Sequence, residues 1–141
     1  MLTILLVDDS VHLQIAFKKI LTSSGYRVEL AGDGEEGLRL ATSIKPDVIL
    51  LDMMLPKLGG LDVLHALKAN RATASIPVIA LSGLPMSNEA RLKKDGAISY
   101  LQKSNLNDLA VLLQAIDHAL LMPRADEFSE VAFHPNSILK H

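Results

Sequence analysis

Five short apolar runs, at residues 4–7, 26–31, 48–51, 78–81 and 98–101, alternate along the chain with longer segments of helical periodicity. A run such as Ile4-Leu5-Leu6-Val7 shows no polar alternation, so it predicts a strand buried on both faces. The segments between read as amphipathic helices. Leu13, Ala16, Phe17, Ile20 and Leu21 recur at helical spacing behind Ser10, a good N-cap, and Gly25 ends that helix. Gly32-Asp33-Gly34 turns the chain into a second helix, to about residue 43, and Pro46 breaks it. Pro56 and Gly59-Gly60 make the next loop, and Leu61, Leu64 and Leu67 stripe a third helix. Ser87 can cap a fourth, running to residue 94 and stopped by Gly96. Asn105 or Asn107 can start a fifth, reaching about residue 121, with a stripe of Leu109, Leu112, Leu113, Ile116 and Leu120. Strands alternating with helices in this way predict a doubly wound α/β domain, a parallel sheet covered on both faces. Right-handed crossovers leave few strand orders, among which periodicity alone does not choose.

The length of 141 residues suits one domain, placed at residues 1–122, followed by a short tail at 123–141 after Pro123. Apolar residues make up 49% of the chain and aromatics only 4%, so the core must be aliphatic. A formal charge of −2 offers no general attraction to nucleic acid or to an anionic membrane surface. The absence of cysteine excludes disulfides and thiolate metal sites and suits a reducing compartment. The first apolar run has no basic lead and ends in two carboxylates, unlike a secretory signal. No stretch approaches the ~20 apolar residues that cross a bilayer. A soluble, cytoplasmic protein is expected. The tail mixes Asp126, Glu127 and Glu130 with Phe128, Val131, Phe133, Ile138 and Leu139. It reads as flexible, with a docked arm or partner-binding segment as the alternative, and it is too short for an output domain.

In an open parallel sheet the binding crevice lies outside the carboxyl ends of the strands. The first run delivers Asp8 and Asp9 there, the third Asp52, and the fourth Ser82 with Gly83 behind it. The fifth is followed, two residues on, by Lys103. Three carboxylates at one edge repel by about 4 kcal/mol per pair at ~4 Å and an effective dielectric near 20. Either their pKa values rise or a cation binds, and hard oxygen ligands of this kind suit Mg²⁺. Asp52 can then act as a carboxylate nucleophile, with Lys103 neutralising charge on a phosphoryl group and Ser82 donating a hydrogen bond to it. Glycine at 83 lets the backbone come close. Taken singly these residues are bland: an Asp at a strand end is usually a turn or cap residue, a lysine is usually solvated, and Tyr100 alone is packing. Their joint placement on four strand ends is what points to chemistry.

The motifs are Asp8-Asp9 after an apolar strand, Leu51-Asp52-Met53-Met54-Leu55-Pro56, Gly59-Gly60-Leu61-Asp62, Ala80-Leu81-Ser82-Gly83, and Gly96-Ala97 with Tyr100-Leu101-Gln102-Lys103. In this order and spacing, over residues 1–121, the chain resembles the receiver domain of bacterial two-component response regulators, of the stand-alone type. The resemblance implies the flavodoxin-like strand order 2-1-3-4-5 with five helices, and a switch phosphorylated on Asp52. It implies Mg²⁺ bound directly by Asp9, Asp52 and the Met54 carbonyl, with Asp8 acting through water. It makes Ser82 and Tyr100 the switch pair. The phosphoryl donor would be a sensor histidine kinase or a histidine phosphotransfer protein, docking near the first helix. The fourth helix, fifth strand and fifth helix would carry the output surface toward a downstream target protein. Leucines 106, 109, 113 and 120 exceed what one helix face needs to cover a sheet, so some are candidates for a dimer or partner surface, against the alternative that all are core.

Two rival readings differ in class. A haloacid-dehalogenase-type phosphatase also uses an aspartyl phosphate, but it needs a second Asp two residues after the nucleophile, where this chain has Met54. The chain is therefore expected to be no enzyme beyond its own phosphotransfer and dephosphorylation. A pseudo-receiver, a binding module that has lost the chemistry, is opposed by the full set Asp8, Asp9, Asp52, Ser82 and Lys103. One departure from the family is Ser104, where proline often follows the lysine through a cis bond. A non-proline cis bond costs about 2.5–4 kcal/mol, so Lys103-Ser104 is expected to be trans. Asp62 belongs to the first turn of the third helix, and the histidines at 12, 65, 118, 134 and 141 show no metal spacing and read as surface.

Overall fold

The computed structural model describes residues 1–83, 89–105 and 108–121. Within them the chain runs β1 (Thr3–Val7), α1 (Val11–Ser23), β2 (Arg27–Ala31), α2 (Gly34–Ile44), β3 (Val48–Asp52), α3 (Gly60–Ala69), β4 (Val78–Ser82), α4 (Glu89–Lys94), β5 (Ser99–Gln102) and α5 (Leu109–Leu121). A 3-10 turn, Lys103–Asn105, follows β5. All five strands are parallel, in the order β2-β1-β3-β4-β5, so the doubly wound topology holds.

Each central strand carries an unbroken run of four apolar residues because both of its faces are covered. Leu5, Val7, Ile49, Leu51, Val78 and Ala80 join one cluster with Val63, Leu64 and Leu67 of α3 and Ala41 of α2. The alternate residues Ile4, Leu6, Val48, Leu50, Ile79 and Leu81 join the other, with Phe17 and Leu21 of α1 and Leu112, Ile116 and Ala119 of α5. The period of two along each strand thus divides one apolar run between two cores. Burying such a side chain contributes roughly 1.5–3 kcal/mol, and the two clusters fix the sheet whose carboxyl edge carries the polar residues.

Local signals work largely as expected. Ser10 Oγ accepts from the Leu13 amide at 3.3 Å, Asp33 caps α2 through the Glu36 amide, and Gly25 takes a positive φ of 95° after α1. Several details are corrected. Ala16 is exposed, as are Val11 and Ile15, so the buried stripe of α1 is narrower than periodicity suggests. Leu109 also stays exposed, whereas Leu113 and Leu120 are half-buried against the second cluster. Asp108, rather than Asn105, leads into α5: its Oδ1 accepts from the Ala110 amide at 3.0 Å. β5 extends to Gln102, so Lys103 follows it directly. The Lys103–Ser104 peptide is trans, as expected. Asp62 sits in the first turn of α3, and His12, His65 and His118 are exposed. Leu84, Ser87, Leu106, Asn107, His134, His141 and the whole stretch 123–141 lie outside the described residues.

Candidate functional site

The strand ends bring the polar residues together. β3 is central, and its last residue, Asp52, pairs with Leu81 of β4; Ser82, one residue on, pairs with Gln102, which precedes Lys103. On the other side Val7 pairs with Leu51, so Asp8 emerges beside Asp52. Asp8 and Asp52 are fully buried, Ser82 is nearly so, and Asp9 is exposed.

The Lys103 ammonium bridges the two buried carboxylates, with Nζ 2.9 Å from Asp8 Oδ2 and 3.1 Å from Asp52 Oδ2. Backbone amides hold the remaining oxygens. Ser10 N–H donates to Asp8 Oδ1 at 2.8 Å, and Met54 N–H donates to Asp52 Oδ1 at 2.9 Å. The Asp8 main chain is fixed as well: its N–H donates to the Ala31 carbonyl at 3.0 Å, and its carbonyl accepts from Gln14 Nε2 at 2.6 Å.

Carboxylate oxygens of Asp8, Asp9 and Asp52 lie within 4.8 Å of one another. One ammonium cannot compensate three charges. Burial pushes the Asp52 carboxyl above its ordinary value, and Asp8 pushes the same way, outweighing the Met54 amide and Lys103. Burial alone would lower the Lys103 ammonium, yet its pairing with Asp8 and Asp52 holds it above the usual lysine value. Asp8 Oδ2, buried, has no aligned hydrogen bond and meets only the lysine ion pair. A hard divalent cation fits this donor set of clustered carboxylate oxygens and would balance the charge that Lys103 leaves.

Of the residues singled out from the sequence, Asp8, Asp9, Asp52, Ser82 and Lys103 all reach this edge. Tyr100 pairs with Ala80 one turn of the pleat away and lies half-buried against the first cluster. Met54 contributes its amide, and its side chain is 65% exposed. At Gly83 a Cβ would meet nothing within 4 Å among the described residues, so no protein neighbour requires glycine there. The glycine that permits close approach is Gly60, whose Cβ would fall 2.4 Å from the Asp52 carbonyl oxygen and 2.5 Å from Met53 Cα. Gln14 and Gly60 escaped the sequence reading. The Gly-Gly pair was legible as a loop before a helix, but nothing marks a glutamine in the first turn of α1 as a partner of the Asp8 carbonyl.

A family model described as the response regulator receiver domain matches residues 4–117. A gliding motility regulatory protein of Myxococcus xanthus is 41% identical over 117 residues, 82% of this chain and 15% of that protein. The chain spans about half the length of the next two curated relatives it matches. Among solved structures, a Vibrio cholerae chemotaxis protein CheY4 is similar at TM-score 0.79 and 28% identity, covering 85% of this chain and 99% of that one. The receiver domain of a Pseudomonas aeruginosa sensor histidine kinase, with a magnesium ion coordinated in its active-site cleft, matches at TM-score 0.76 and 30% identity, covering 84% and 97%.

Proposed function

Since the chain belongs to the response regulator receiver domain family, and is thereby a phosphorylation-activated signalling switch of a two-component system, we propose that Asp52 is the carboxylate that accepts the phosphoryl group. The observation that carries this reading is the Lys103 ammonium set between buried Asp8 and Asp52 at the end of the central strand. A carboxylate oxygen of Asp52 attacks phosphorus, the phosphorus–nitrogen bond to the donor histidine breaks, and an acyl phosphate forms. Lys103 faces the charge that develops on the phosphoryl oxygens, and the Ser82 hydroxyl donates to one of them.

Asp9, Asp52 and the Met54 carbonyl would hold Mg²⁺, with Asp8 acting through a water. The bound ion supplies charge neutralisation between the carboxylates and the phosphoryl group. Asp8 meanwhile keeps Lys103 in place, and the Met54 amide orients Asp52. Ser82 and Tyr100 form the switch pair, the hydroxyl moving toward the phosphoryl group and the ring turning inward.

Receiver domains interact with histidine kinases or phosphotransfer proteins and are signalling modules. For this chain the donor meets α1, where Val11 and Ile15 are exposed beside the site. The phosphorylated state is read by a downstream protein, or by a second copy, through α4, β5 and α5, where Leu109 is exposed. Its only catalysis is its own phosphotransfer and dephosphorylation. Residues 1–122 form the receiver domain and 123–141 a tail. No helix among the described residues is long and apolar enough to cross a membrane, and a cytoplasmic location agrees with the donor chemistry. Incubation with Mg²⁺ and acetyl phosphate, followed by intact-mass measurement, tests the reading. One phosphoryl increment is expected in the wild type and none in Asp52→Asn; equal labelling of the two would refute the assignment.

A further inference from the structure

We propose that Gln14 is a positioning residue for the cation site: its side-chain amide holds the peptide between Asp8 and Asp9 and so sets where the Asp9 carboxylate stands. The inference rests on the reading that Asp8, Asp9 and Asp52 hold Mg²⁺. Asp8 and Asp52 are each fixed by their own carboxylate contacts, to the Ser10 and Met54 amides and to Lys103. Asp9 differs. It is exposed, and among the described residues its carboxylate makes no hydrogen bond or ion pair. Its position is inherited entirely from its backbone.

That backbone begins at the Asp8 carbonyl, which shares a rigid peptide plane with the Asp9 N–H. Gln14 Nε2 donates to this carbonyl at 2.6 Å, a short contact from a half-buried side chain. The glutamine is itself held. It sits in the first turns of α1, its own amide donating to the Ser10 carbonyl at 3.0 Å, and its Nε2 lies 3.8 Å from where a Cβ on Gly32 would stand. The amide is therefore packed between the β1–α1 and β2–α2 turns. Asp8 is fully buried, so the bond also gives its carbonyl a partner. What it adds is orientation of the one acid with no other anchor, the role that outer partners commonly play around metal ligands.

Calorimetric titration of the full chain with MgCl₂ tests this, together with the thermal unfolding midpoint measured without metal. Gln14→Met keeps the length and apolar stem but removes the donor, and Gln14→Ala serves as a second variant. Mg²⁺ affinity is expected to fall about tenfold in both, the weight of an outer partner of a metal ligand, while both variants stay folded without metal with midpoints lowered by only a few degrees. In an Asp9→Asn background the same change at residue 14 should have no further effect on Mg²⁺ affinity, because the group it positions is gone. Wild-type affinity in Gln14→Met, or an equal further loss in the Asp9→Asn background, overturns this inference alone. Unfolding of both variants without metal assigns Gln14 a purely structural part and also overturns it. A wild type that binds no Mg²⁺ overturns the site reading, and this inference with it.

Discussion

The Lys103 ammonium lies 3.1 Å from Asp52 Oδ2 although Lys103 follows β5 and Asp52 ends β3, strands that are not neighbours, with β4 between them. The same nitrogen touches Asp8 from β1 at 2.9 Å, so one lysine spans the carboxyl edge of the sheet. It serves two carboxylates at once and leaves the cluster negatively charged. That deficit sets what substitutions here should do.

Asp52→Asn is expected to abolish Mg²⁺-dependent phosphorylation and to stabilise the metal-free protein at neutral pH. Burial, then the Met54 amide and Asp8, act on the Asp52 carboxyl with a net upward shift, so the folded state resists its ionisation. Below the ordinary carboxylate range Asp52 is neutral in both folded and unfolded chains, and the variant should match wild type. As pH rises from that range through the raised folded value, the unfolded chain ionises first and the wild type loses stability relative to the variant. Thermal unfolding at pH 3.5 and pH 7 measures this. A gap between the two proteins that narrows with rising pH would contradict the sign.

Lys103→Ala should retain Mg²⁺ binding and lose phosphorylation. The lysine competes with a cation for Asp8 and Asp52, so its removal leaves those oxygens available. The charge it offers to the transferring group is lost, which at comparable electrostatic donors costs about 10²–10³ in rate. Calorimetry and acetyl-phosphate labelling, run on the same preparation, separate the two effects. Weakened Mg²⁺ binding with normal labelling would reverse the assignment.

Most of this edge was legible because strand ends are legible. A short unbroken apolar run such as Ile49-Leu50-Leu51, flanked by Pro46 and Pro56, reads as a strand buried on both faces, and in a parallel sheet the residue that ends it emerges at the crevice. Helices were less so. The stripe through Ala16 and Leu109 gives a sector around the helix axis but not how far the sheet extends beneath it, and both residues stay exposed. Helix caps such as Ser10 were legible, but a bond to a loop carbonyl such as that of Gln14 to Asp8 left no mark.

Gly60→Ala should be costly where Gly83→Ala is tolerated. A Cβ on Gly60 would stand 2.4 Å from the Asp52 carbonyl oxygen and 2.5 Å from Met53 Cα, both backbone atoms that cannot step aside alone. The start of α3 would have to move away from β3, at about 1–3 kcal/mol for such overpacking, and the phosphorylation rate should fall because the Asp52–Met54 turn moves with it. Gly83 shows no positive φ and its Cβ would meet nothing within 4 Å among the described residues, so its alanine variant should keep stability within about 0.5 kcal/mol. Chemical denaturation of both variants decides between them, and equal stabilities would remove the argument.

The phosphorylated state should be long-lived, because Met54 cannot orient the water that would end it. Hydrolysis of an aspartyl phosphate needs a water in line with the bond being broken, held by a hydrogen-bonding group. By the family resemblance, the side chains two positions after Asp52 and two after Ser82 flank that approach; here they are Met54 and Leu84, the latter outside the described residues. The Met54 amide is tied to Asp52 Oδ1 at 2.9 Å, so its side chain starts from a fixed point beside the acceptor. A thioether there is a poor acceptor and no donor, so it does not order a water. Replacing it with an amide restores a partner at the same point. Met54→Asn should speed hydrolysis about threefold, and Met54→Asn with Leu84→Glu about tenfold, if each group adds ~0.7 kcal/mol in the transition state. Loss of radiolabel from purified phosphoprotein, followed over time with Mg²⁺ present, gives the rates. A wild type that sheds its label within seconds, or a double variant no faster than wild type, would show that the flanking residues do not control the lifetime.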